Sequence, residues 1–132
     1  MKYLLDTNIC IYIIKKQPPH VLERIQSVPF ENICISTITL AELEHGVAKS
    51  AHQERNRLAL IEFLIPFRIL DYDQAAARHY GHIRSDLETR GTVIGPLDLL
   101  IAAHAQSQGL TLVTNNTREF SRIKDLEMEN WG

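Results

Sequence analysis

The stretch "GPLDLLIAAHAQSQGLTLVT", residues 95–114, decides how this chain is built. Leu99, Leu100, Ile101, Ala102 and Ala103 are apolar around the whole circumference of a helix, which marks an element buried on most sides. Pro96 suits the first helical position and Gly109 sits just past the helix end. "LTLVT" (110–114) then reads as a strand. One carboxylate, Asp98, interrupts this apolar run. An ionised Asp is rarely buried unless it is paired, hydrogen-bonded or bound to a metal. What Asp98 faces is therefore the question on which the function turns.

Outward from this stretch the same alternation repeats. Strand-like runs lie at "KYLL" (2–5), "NICIS" (32–36) and "FRIL" (67–70), with a short edge strand at "LEMENW" (126–131). Between them, Leu40, Leu43 and Val47 fall at helical spacing, as do Leu58, Ile61 and Ile65, and Ala76, Tyr80, Ile83 and Leu87. Pro18–Pro19 opens a short helix, Asp73 is placed to cap another, and Gly91 sits just past its end. Strands alternating with helices predict an α/β fold: a three-layer α/β/α domain over residues 1–132, its mainly parallel central sheet flanked by helices. Sites in such sheets form beyond the carboxyl ends of the strands.

Composition narrows the class. The 132 residues are 45% hydrophobic and 23% charged, as in an ordinary globular domain. No run approaches the roughly 20 apolar residues of a membrane span, and "MKYLLDTNIC" is broken at once by Asp6, so no signal peptide and a cytoplasmic location are expected. Cys10 and Cys34 lie in apolar segments and read as buried free thiols. A net charge of −2 is no global footprint for nucleic acid, so contact with a polyanion must use a local patch or metal ions.

Three carboxylates stand where a site is expected: Asp6 after the first strand, Glu42 in what reads as the first turn of the helix after Ser36, and Asp98. Each has a bland explanation. Asp6 suits a helix N-cap, Thr39 to Glu42 matches a capping box, and Asp98 in a first turn favours the helix dipole. Together these explanations weaken, because three acids brought to one rim repel one another. A divalent cation is the usual remedy, and Asp and Glu oxygens are the hard ligands that Mg²⁺ or Mn²⁺ prefers.

These residues also carry a resemblance. "LLDTNI" (4–9), "STITLAELEHG" (36–46), "PLDLLIAAHA" (96–105) and "LVTNNTREF" (112–120) together resemble PIN-domain ribonucleases, and most of all the VapC toxins of bacterial type II toxin–antitoxin modules. The resemblance implies that Asp6, Glu42 and Asp98 are acidic metal ligands of a Mg²⁺- or Mn²⁺-dependent endoribonuclease leaving 3′-hydroxyl and 5′-phosphate ends. It implies a homodimer and a cognate VapB-type antitoxin, through which the toxin joins a larger assembly on operator DNA. Structured RNA is the implied substrate, with tRNA anticodon loops, initiator tRNA among them, as its leading form. The family's fourth acid falls where this chain has Asn116, an amide without charge, which argues against a tightly held second metal. Glu119 could supply a charge instead. Thr114 and Asn8 flank the acids and could hold a water or simply make turn hydrogen bonds.

Other readings weigh less. His79, His82 and His104 do not form a zinc pattern, since no third ligand accompanies the His79–His82 pair. Lys15, Lys16 and Arg118 read as solvated charges that an RNA phosphate could still meet. A phosphate-accepting receiver domain wants paired acids after its first strand, and a dehalogenase-type phosphatase wants D-x-D; this chain has D-T-N. A catalytically weakened PIN-like module binding RNA or protein is the non-enzymatic alternative.

Overall fold

The computed structural model describes all residues 1–132. Five strands, β1 (Tyr3–Leu5), β2 (Ile33–Ser36), β3 (Arg68–Leu70), β4 (Thr111–Val113) and β5 (Met128–Glu129), form one sheet in the order β3-β2-β1-β4-β5. Every pairing is parallel. The helices are α1 (Thr7–Lys15), α2 (Pro19–Gln26), α3 (Thr37–Ala48), α4 (Gln53–Leu64), α5 (Gln74–Arg90), α6 (Pro96–Ser107) and α7 (Thr117–Phe120).

A parallel sheet must be covered on both faces, and the strand alternation sorts the residues. Tyr3, Leu5, Ile33, Ile35 and Val113 join Ile9, Leu43, Val47 and Leu60 in one core, under α1 to α4. Leu4, Cys34 and Leu112 point the other way, into Ile83 and Leu87 of α5 and Leu99, Ala102 and Ala103 of α6. The alanines let α6 lie close, and Ile101 to Ala105 are all buried, as the all-round apolar pattern predicts. Cys10 and Cys34 are buried and free.

Strand order turns back between β1 and β4. After β1 the chain moves outward through β2 and β3, then crosses to β4 on the other side of β1. The loops that leave β1 and β4 therefore diverge, opening the crevice where doubly wound sheets place ligands. Asp6 leaves β1 there, and Thr114 to Asn116 leave β4.

Two sequence expectations need correction, and two features go beyond the sequence reading. The capping box at Thr39–Glu42 does not form: Ser36 caps α3 by accepting from the Ile38 N–H at 3.0 Å, Thr39 is buried, and Glu42 lies in the second turn. The edge strand is two residues long, Met128–Glu129, because only there does the chain run beside β4. Leu58, Ile61 and Ile65 face solvent, with 58%, 52% and 76% of their surface exposed, and α4 packs instead through Leu60, Phe63 and Leu64. The short helix α7 has no counterpart in the sequence reading. No helix is long and apolar enough to cross a membrane.

Candidate metal centre and active site

The crevice collects carboxylates from four elements. Asp6 is 4% exposed, buried at the end of β1. Its Oδ1 accepts from the Ile9 N–H at 3.0 Å, so the capping role expected of it is real. Burial pushes its carboxyl up; the Thr114 hydroxyl and the Ile9 and Asn8 main-chain N–H groups partly offset this, and the charge of Glu42 adds to it. Capping and ligation are compatible, because a carboxylate has two oxygens and the cap engages one.

Glu42 reaches the same place from α3. The Thr7 hydroxyl donates to its Oε1 at 2.6 Å, and Thr39 Oγ1 lies 3.4 Å from the same hydroxyl. Thr7 is the residue that sequence reasoning passed over. Its signal was there in D-T-N: directly after a capping Asp, the Thr side chain leaves β1 toward the neighbouring strand's helix.

Asp98, at the third position of α6, caps nothing: Gly95 occupies the N-cap without a side-chain bond. The carboxyl faces other carboxyls. Burial first, then a hydrogen bond to Glu119 and the charges of Glu119, Asp6 and Glu42, push it up to about 7. A bond between two carboxyl groups needs a proton, and Asp98 holds it. Glu119 is the acceptor. Its own burial would raise it, but the Gly95 N–H, the Asn116 amide, the Asp98 proton and the charge of Arg122 together hold it below the usual carboxylate range. Gly95 N donates to Oε1 at 3.0 Å and Asn116 Nδ2 to Oε2 at 2.7 Å.

Asn116, the residue at the family's fourth acidic position, thus holds the carboxylate of Glu119 beside Asp98. The Asn116 N–H in turn donates to Thr114 Oγ1 at 2.9 Å, which sets the turn between β4 and α7. The Asn8 side chain is exposed and only its main chain serves the site. His79 pairs loosely with Gln106 at 3.3 Å, away from the acids.

None of the four acids forms an ion pair, and the one basic charge felt among them is that of Arg122 at Glu119. The ion pairs of the molecule, Arg24–Glu129, Arg57–Glu44, Arg84–Glu88 and Arg90–Asp86, all lie elsewhere. No three of the carboxylates form a ready cage. Hard-oxygen donors that form no ion pair, two of which (Asp6 and Asp98) are pushed up by burial and neighbouring carboxylates, are what a divalent ion fits.

A family profile described as PIN domain matches residues 3–126. The chain belongs to the PIN-domain family. The tRNA(fMet)-specific endonuclease VapC of Shigella flexneri is 51% identical over 99% of this chain and 98% of its own length. That of Salmonella typhimurium, with the same coverage, is 49% identical. The crystal structure of DNA-bound VapBC from Salmonella typhimurium superposes with a TM-score of 0.95 at 47% identity, covering 100% of this chain and 99% of that one. VapBC2 from Rickettsia felis, bound to a DNA fragment from its promoter, gives 0.94 at 45% identity with both chains fully covered. This PIN domain is thus of the VapC ribonuclease type, a class of divalent-metal-dependent nucleases.

Proposed function

We propose that the crevice at β1 and β4 is the active centre of a toxin endoribonuclease, with Asp6, Glu42 and Asp98 holding a Mg²⁺ or Mn²⁺ ion and Glu119 the fourth carboxylate. The observation that carries this is the gathering of four acids, from four elements, at a crevice where none of them forms an ion pair. A divalent ion there supplies Lewis-acid charge at the attacked phosphate and lowers the pKa of the attacking water. The protein's own part is to prepare the donors. The Ile9 N–H fixes Asp6, the Thr7 hydroxyl aims Glu42, and the Gly95 and Asn116 groups keep Glu119 ionised. Asp98 must release its proton to bind a cation, and it does so near neutral pH. In-line attack leaves 3′-hydroxyl and 5′-phosphate ends.

The substrate is RNA, tRNA in first place and the anticodon loop of initiator tRNA within it, in line with the endonuclease relatives. A VapB-type antitoxin neutralises the enzyme and carries it to operator DNA, as the VapBC complexes suggest. One PIN domain fills residues 1–132, works in the cytoplasm, and forms a homodimer. The solvent-facing Leu58, Ile61 and Ile65 of α4 suit cover by a second protein surface. A weakened, non-cleaving module would need the fourth acid to be missing; the inward carboxylate of Glu119 removes that ground.

Mapping of RNA ends after brief expression tests the proposal. Wild type is expected to yield discrete new 5′-phosphate ends in tRNA, and Asp6→Asn none. The same ends in both strains would overturn it.

A further inference from the structure

One buried polar pair is used by nothing described so far. Ser36 ends β2, and its place in the alternation turns it, like Cys34, toward the α5–α6 side of the sheet. There its Oγ meets Nδ1 of His104 at 2.8 Å. Both residues are completely buried. Ser36 is also the N-cap of α3, its Oγ accepting from the Ile38 N–H at 3.0 Å. The Tyr72 ring stands edge-on to the imidazole, with centroids 5.1 Å apart. Burial pushes His104 below the ordinary histidine range, against the charges of Asp73 and Asp71 and the Asp71 main chain. The ring is therefore neutral at pH 7, and the Ser36 hydroxyl can donate to Nδ1 while still accepting from Ile38. The other edge of the ring gains little: Nε2 is buried toward the Asp71 main chain without a hydrogen bond of ordinary geometry.

A buried histidine with one nitrogen unserved is not the cheapest way to fill a core, since a leucine would avoid stranding a polar atom. Its geometry explains more. Ser36 stands six residues before Glu42 on one side of the sheet, and His104 six residues after Asp98 on the other. At 1.5 Å per residue each acid lies about 9 Å along its helix from the pair. The Ser36–His104 bond thus pins the start of α3 to the last turn of α6, through the end of β2.

We propose that Ser36 and His104 are positioning residues that set the height of α6 against α3, and so the separation of Asp98 and Glu42 across the metal centre. Neither touches substrate or ion. The apolar contacts of α6 are non-directional, whereas a hydrogen bond in a dry core has one geometry and so adds a fixed register to them. A misplacement of about 1 Å far from the chemistry can lower turnover by up to roughly 10²-fold.

The inference rests on Asp98 and Glu42 being the ion-holding acids, and the experiment separates the two. His104→Leu, His104→Asn, Ser36→Gly, the His104→Leu/Ser36→Gly double variant and an Asp98→Asn control are purified. Each is assayed for thermal melting, Mn²⁺ affinity by calorimetry without RNA, and kcat and KM on RNA. His104→Leu is expected to melt within a few degrees of wild type, keep its KM, bind Mn²⁺ several-fold more weakly, and lose roughly 10- to 100-fold in kcat. Asn offers an oxygen near the place of Nδ1, so His104→Asn is expected to recover most of both losses. Gly is well tolerated as an N-cap, so Ser36→Gly removes the hydroxyl and little else, and the double variant should be no worse than either single one. Wild-type kcat and Mn²⁺ affinity in folded His104→Leu overturns the proposal. So does failure of Asn to do better than Leu, or activity losses that merely follow the folded fraction. Full cleavage by the Asp98→Asn control overturns the site itself and this inference with it.

Discussion

Asp98 and Glu119 share a single proton in the absence of a cation, and that gives the metal centre a pH signature. In the folded protein Asp98 keeps its proton up to about 7, while its ordinary value is 3.8. Between those values the folded state binds more protons than the unfolded chain, so the metal-free protein loses stability as pH rises from about 4 to about 7. Asp6 is raised too and acts in the same direction, whereas Glu119 is lowered and acts only at more acid pH. A divalent cation replaces the proton. Melting curves in a chelator are expected to fall between pH 5 and pH 8, and added Mn²⁺ should raise the melting point much more at pH 8. A chelated melting point that climbs over that range would contradict the assigned Asp98 environment. Asp98→Asn keeps the shape and takes away the charge. It should fold, be less pH-sensitive in chelator, and lose more than the roughly 10- to 100-fold that removing an outer partner of a metal ligand costs.

Asn116 offers a second test at the same scale. Its amide donates to Glu119 at 2.7 Å, so Asn116→Asp sets two carboxylates face to face. The metal-free variant should be less stable by about 1–3 kcal/mol, the usual result of losing a buried partner. With Mn²⁺ the added charge becomes an asset, and a second binding event is expected in calorimetry where wild type shows one tight event. Two equal events in wild type, or no gain in the variant, would remove Asn116 from the metal centre.

The elements show what could be read in advance. The all-round apolar helix, its Pro and Gly boundaries and the strand after it follow from residues 95–114 alone, because burial on every side leaves no ambiguity about partners. Asp6 and Asp98 were visible because a charge in an apolar setting is itself a signal. The start of α3 was not settled. "STIT" offers three hydroxyls able to cap, and only the burial of Thr39 and the His104 contact select Ser36. The inward turn of Glu119 was hidden for another reason: α7 is four residues long, too short for any periodicity to show its face. For α4, spacing revealed an apolar stripe at Leu58, Ile61 and Ile65 but not whether the stripe meets the core. Capping that is remote from the site offers a control. Asp73 caps α5 by accepting from the Ala76 N–H at 2.9 Å, and Asp73→Ala should cost about 0.5–2 kcal/mol with Mn²⁺ affinity unchanged. Gly91, at φ +67°, ends the same helix, and Gly91→Ala should cost about 1 kcal/mol for the same left-handed turn.

At the scale of the whole molecule, exposed apolar residues are concentrated where α4 and the segment around β3 meet solvent: Leu58, Ile61, Ile65 and Ile69. A second copy would cover such a surface by an isologous contact, the commonest arrangement among oligomers. Light scattering at micromolar concentration is expected to give twice the mass of one chain. A monomer mass alone would count against the dimer.

The order of the sheet also bears on how the protein is made. The strand that carries Asp6 is synthesised first but becomes the middle strand, flanked by β2 and β4. Its four acids are spread from residue 6 to residue 119, so the ribosome releases them at widely separated moments. A nascent chain that has emerged only as far as α5 has Asp6 and Glu42 but neither Asp98 nor Glu119, and β1 has just one of its two neighbours. The proposed metal centre is therefore complete only when translation is almost done. A growing chain cannot cut RNA before its last elements have emerged.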